Sequence, residues 1–141
     1  MRWRILVVIA IAVLGVGCSD TEETTTTAAV ASGEDVIFGE GQMPETIPAD
    51  FPLPAGSAIG STMVVADTGF TEVVVRVSAE LGVSVEFFDQ SLARAGFDVD
   101  SSEQGENRWL IEFSKDSAKG TIDLSEAVPG ISQAVVRYNV P

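Results

Sequence analysis

The sequence predicts an α+β fold: a single small domain over residues 47–141, with a largely antiparallel sheet and one amphipathic helix on one of its faces, in the order β-β-α-β-β-β-β. Three observations predict it. Apolar and polar residues alternate with period two in most segments after Gly56, as they do in strands with one buried side. One segment breaks that rhythm, with Val85, Phe88, Leu92 and Ala95 at helical spacing. Clusters of turn-forming residues separate the segments.

The first two strands, at 61–66 and 71–78, form a hairpin around Asp67-Thr68-Gly69. In the second, Val73, Val75 and Val77 alternate with Glu72, Val74 and Arg76, giving one apolar and one mixed face. The helix follows, with Ser84 as its cap and Glu86 near its positive end. Arg94 falls in its last turn and Gly96 stops it. Four more strands are expected at 97–101, 108–115, 120–125 and 133–140. The turns between them lie at 104–107 and 116–119, with a break at Pro129-Gly130.

Segment 47–55 is a proline-rich entry to the domain. Pro44, Pro48, Pro52 and Pro54 bracket Asp50-Phe51 and favour extended chain, with Phe51 and Leu53 as apolar pins. No two prolines stand at the PxxP spacing that SH3-like modules read.

Before this entry the sequence changes character. Residues 18–46 are rich in Thr, Glu, Ala and Gly, with four threonines at 24–27 and seven acidic residues against no basic one. This is the composition of a disordered, acidic tether. Within it, Val36-Ile37-Phe38 is either a sticky point or an extra edge strand. The threonines are candidates for O-glycosylation.

Residues 1–17 have the layout of an exported signal peptide. Arg2 and Arg4 precede an apolar run at 5–16, and a polar series begins at Ser19, too soon for a spanning helix of about 20 residues. The segment Leu14-Gly15-Val16-Gly17-Cys18 resembles the lipobox of bacterial lipoproteins, although Leu14 stands one step further from the cysteine than that class usually has it. The resemblance implies cleavage before Cys18, diacylglyceryl and further acylation (palmitate) on that residue, and a place on the extracytoplasmic side of the cell membrane. Two or more acyl chains anchor firmly where a single chain binds only marginally. The resemblance covers the first 18 residues and implies nothing about the folded part.

Charge and residue types narrow the function. The chain of 141 residues has net charge −13. Loss of Arg2 and Arg4 with the signal peptide would leave six basic against 21 acidic residues, a net −15. Such a surface repels nucleic-acid phosphates, so no nucleic-acid partner is expected. It also argues against a polybasic grip on anionic lipid. Histidine is absent and Cys18 is the single cysteine, which removes the common zinc, haem and iron–sulfur ligand sets and every catalytic pair built on His or Cys. Asp98, Asp100, Ser102 and Glu103 before Gly105 invite comparison with a calcium loop. The EF-hand pattern fails, because Glu103 stands where glycine is required and Trp109 where glutamate is required. Carboxylate pairs such as Glu72 with Asp123 carry no surrounding motif, and no G-x-S-x-G turn or phosphate-binding loop is present. The expectation is a non-enzymatic protein without cofactor or metal.

A candidate interaction face follows from the strand pattern. With Val73, Val75, Val77, Trp109, Ile111, Phe113, Val136 and Tyr138 toward the helix, alternation sends Val74, Arg76, Arg108, Leu110, Val135 and Arg137 to the other side. One helix of about 12 residues cannot cover a wide sheet, so this second face stays open. Val74, Leu110 and Val135 would be its apolar centre and the three arginines its rim. The structural alternative is that cross-strand Arg and Glu pairs only keep an exposed sheet soluble. The expected role is a lipid-anchored binding module of the cell envelope with a protein or glycan partner. A structural or assembly factor of an envelope complex is the alternative.

Overall fold

The computed structural model describes residues 35–141. The expected signal peptide at 1–17, the lipidation site Cys18 and the tether as far as residue 34 lie outside the described residues. The elements are β1 (Val36–Glu40), β2 (Ala58–Val65), β3 (Phe70–Val77), α1 (Leu81–Arg94), β4 (Asp98–Glu103), β5 (Arg108–Lys115), β6 (Ala118–Val128) and β7 (Ile131–Asn139). The strands form one seven-stranded sheet in the order β1-β2-β3-β7-β6-β5-β4. Every neighbouring pair is antiparallel.

Alternation in the sequence becomes burial in the sheet. In β3, Val73 and Val75 are fully buried while Val74 between them is half-buried and Arg76 is exposed. Register then aligns the buried residues of neighbouring strands. Val73 pairs with Val136, Val136 with Ile122, and Ile122 with Ile111, a row across four strands in which every side chain is fully buried. The last strand, β7, lies between β3 and β6, and its Ala134 and Val136 sit at the centre of the core. Helix α1 lays Val85, Phe88 and Leu92 onto this apolar side, over β4 to β7. None of the described helices is long and apolar enough to cross a membrane.

Three local expectations need correction. The helix begins at Leu81, with Glu80 in the N-cap position and no side-chain capping bond. Ser84 is therefore not the cap. It is buried in the first turn, where its Oγ lies 2.6 Å from Oγ of Ser132 on β7, so its hydroxyl satisfies a second buried hydroxyl and leaves the helix end alone. The proline-rich entry is not uniformly extended. Backbone N–H groups of Ile47, Phe51 and Ser57 donate to the carbonyls of Pro44, Pro48 and Pro54, making three successive turns. A proline carbonyl accepts as well as any other, and the missing N–H costs nothing at the first position of a turn. The strand count is seven rather than six, because Val36-Ile37-Phe38 takes the second of its two expected roles. It forms β1, which pairs with β2 at the edge of the sheet inside the stretch read as tether.

The apolar pins are in place. Phe51 is buried, with its ring centroid 5.7 Å from that of Phe113, 6.2 Å from Phe97 and 6.5 Å from Phe88. Ile47, which sequence pattern does not single out, is also in the core. Lys115 holds the same region from outside. Its Nζ donates to Asp50 Oδ2 at 2.5 Å and to the carbonyl of Ala95 at 3.2 Å, and it lies 4.6 Å from the ring centroid of Phe97. A cation at the helix C-terminus also complements the helix dipole.

Gly120 is required by packing. A Cβ there would stand 2.2 Å from the Phe113 ring and 2.8 Å from the Arg137 carbonyl oxygen. Its absence lets Phe113 lie stacked against Tyr138, at 6.0 Å between centroids and 13° between planes. Gly69 meets a conformational demand as well, with φ of +66° in the β2–β3 turn.

Candidate binding face

The side of the sheet opposite α1 carries the residues that alternation assigns to it. Register sorts them into rows across the strands. Val74, Val135, Asp123, Leu110 and Ser102 form one row, and Arg76, Gln133, Ser125 and Arg108 the next. Glu72, Arg137, Thr121, Glu112 and Asp100 form a third, and Phe70, Asn139, Lys119, Ser114 and Asp98 a fourth.

The rows alter the expected design of the face. Val74 and Val135 are direct neighbours, but Asp123 stands between Val135 and Leu110, so the three apolar residues make no continuous centre. Asp123 collects the arginines instead. Arg108 forms a two-pronged ion pair with it, one prong being Nε to Oδ1 at 2.7 Å, and Arg137 Nη1 lies 4.0 Å away. Arg137 Nε also donates to Glu72 Oε2 at 2.7 Å. The hydrogen bond from Arg108 to Asp123 raises the guanidinium's pKa further above its ordinary value. Two of the three predicted rim cations are thus neutralised within the face, as in the structural alternative, and Arg76 has no ion-pair partner among the described residues.

The concavity of the face lies one row further along. A trough of about 680 Å³ runs from Phe70 on β3 to Asp98 and Asp100 on β4, over the third and fourth rows. Its floor is the backbone at Phe113, Gly120 and Tyr138, where Phe113 and Tyr138 turn their rings into the core. Phe70 offers an apolar wall, Lys119 a cation free of ion pairs among the described residues, and Asn139, Ser114 and Thr121 both donors and acceptors. Of the six residues assigned to the interaction face from sequence, only Arg137 lines it, and Asp98 and Asp100 of the supposed calcium loop stand at its β4 end. Carrying the alternation two residues beyond Glu72, Glu112 and Arg137 reaches Phe70, Ser114 and Asn139, so the signal was present.

A second cleft, of about 620 Å³, sits beside the start of α1 and is lined by Glu80, Glu103, Glu106, Glu126 and Trp109. The indole Nε1 of Trp109 is buried without a hydrogen-bond partner. Asp98, Asp100, Ser102 and Glu103 lie along β4, and no group of three or more His, Cys, Asp or Glu among the described residues is arranged to hold a metal ion.

Comparison with models of known protein families, with curated proteins and with solved structures finds no match.

Proposed function

We propose that the protein is an extracytoplasmic binding module, held at the cell membrane by lipid on Cys18, which engages an envelope partner through the open face of its sheet. The observation that carries the reading is the trough. From β3 to β4 it crosses four inter-strand spacings, about 19 Å at the usual 4.7–4.9 Å each. That length suits a chain-like ligand, an envelope glycan strand or an extended protein segment, lying across the strands. Its lining suits a polar ligand, because hydroxyl, amide, carboxylate and ammonium groups alternate there with a single aromatic wall. Among the described residues the one helix lies on the far side of the sheet, which leaves this approach uncovered by them.

The test uses the tagged, full-length protein in solubilised envelope. Thr121 lies in the middle of the trough, and Thr121→Trp obstructs it there while leaving the core side of β6 unchanged. Recovery of the partner is expected to fall to background. A folded Thr121→Trp protein that recovers its partner as the wild type does would contradict the reading.

A further inference from the structure

We infer that β1 is a self-pairing edge, and that the protein forms a two-fold dimer by antiparallel addition of β1 to β1 of a second copy. The two edges of the sheet differ in kind. The β4 edge carries Asp98, Asp100 and Glu103, charges that repel another strand. The β1 edge reads Val36-Ile37-Phe38-Gly39-Glu40, and among the described residues its Phe38 and Ile37 are the most exposed large hydrophobic side chains, at 71% and 61%.

The backbone of β1 is set up for pairing. Asp35 accepts from the Ala66 N–H and Gly41 donates to the Gly60 carbonyl, so odd-numbered residues of β1 bond to β2. In an antiparallel ladder the intervening residues then turn their N–H and C=O outward. Val36, Phe38 and Glu40 therefore present a row that pairs with no other strand among the described residues. A two-fold axis at Phe38 matches this row to its own copy, with Phe38 opposite Phe38 and Val36 opposite Glu40.

The side chains fit that register. Ile37 falls opposite Gly39 of the second copy, which has no side chain to oppose it. Glu40 meets Val36 and never another Glu40, so a strand with its acid at one end avoids like-charge contact only when paired antiparallel. Because the β4 edge is blocked by its own charges, the assembly closes at two copies instead of extending into a fibre.

The test is cysteine cross-linking of the full chain in its membrane. Phe38→Cys places the two sulfurs across a hydrogen-bonded pair, whose Cα separation of about 5.5 Å lies inside the range a disulfide spans. Mild oxidation is expected to give a linked dimer from Phe38→Cys and none above the unsubstituted protein from Val83→Cys on the exposed side of α1. Register is read by co-expressing Val36→Cys and Glu40→Cys copies, which should cross-link with each other more than either does alone. Phe38→Pro in both of those copies removes the exposed ring and an outward N–H, and takes no hydrogen bond from the β1–β2 ladder. It is expected to abolish their cross-link while thermal unfolding stays cooperative. Equal yields from positions 38 and 83, or cross-linking indifferent to the 36/40 pairing, would overturn the inference.

Discussion

Replacing Phe51 by alanine tests whether the proline-rich entry is part of the folded domain or merely leads to it. Phe51 is 8% exposed and meets three aromatic rings, those of Phe88, Phe97 and Phe113. Truncating a buried phenylalanine costs about 3–5 kcal/mol, the transfer of the ring plus the cavity it leaves. Phe51 sits in a segment of turns that can partly collapse into the space, so the lower end, about 3 kcal/mol, is expected. Against a total stability of about 5–15 kcal/mol for a domain of this kind, that is a large fraction. At about 4–8 °C per kcal/mol it lowers the melting temperature by roughly 12–24 °C. Urea unfolding followed by circular dichroism measures it, with Val83→Ala on the exposed face of α1 as a control that should stay within about 0.5 kcal/mol. The slope of the transition should be unchanged. A loss below about 1 kcal/mol for Phe51→Ala would refute the placement of this ring in the core.

Three further outcomes are expected. Tyr138 is the one tyrosine of the chain and is buried, and burial holds its phenol above its ordinary value of 10.0. A raised folded pKa favours the protonated form, so its contribution to stability is whole below pH 10.0 and is lost as pH rises through the folded value. Phenolate absorbance should therefore titrate above 10.0 or appear only with alkaline unfolding, and a midpoint at or below 10.0 would contradict it. For the buried hydroxyl pair, Ser84→Ala and Ser132→Ala should each cost about 1–3 kcal/mol, because each leaves the other hydroxyl unsatisfied. The double variant should cost less than their sum, measured by a double-mutant cycle, and simple additivity would count against the pairing. Gly120→Ala should destabilise by at least about 1–3 kcal/mol, since the new methyl meets the Phe113 ring and a backbone oxygen together, and a neutral result in thermal unfolding would contradict that packing.

Local pattern carries far in this chain and then stops at pairing. Val73, Val75, Val77, Ile111, Phe113, Val136 and Tyr138 are legible as core because alternation depends only on neighbours two residues away, and all seven are buried. The arrangement of the open face depends on which strands are adjacent. That β7 inserts between β3 and β6 is a long-range fact with no local signal. It places Asp123 between Val135 and Leu110 and so divides the apolar centre that sequence suggests. Ser84 misleads for a related reason. A serine ahead of an apolar stripe looks like a cap, and only the approach of Ser132, forty-eight residues away in sequence, gives its hydroxyl another use. The run Val36-Ile37-Phe38 is legible as an edge strand only as one of two readings, because the partner that decides it, β2, lies beyond the prolines.

The central claim is that the open face, and not the helix side, meets the envelope partner while Cys18 holds the chain at the membrane. A photo-activated cross-linking residue at Lys119 in the trough, compared with one at the exposed Ala93 of α1, tests it in intact cells. The account predicts one discrete adduct from position 119, none from position 93, and loss of the adduct when Thr121→Trp obstructs the trough. Adducts of equal yield from both positions, or an adduct from 119 that survives Thr121→Trp, would contradict it.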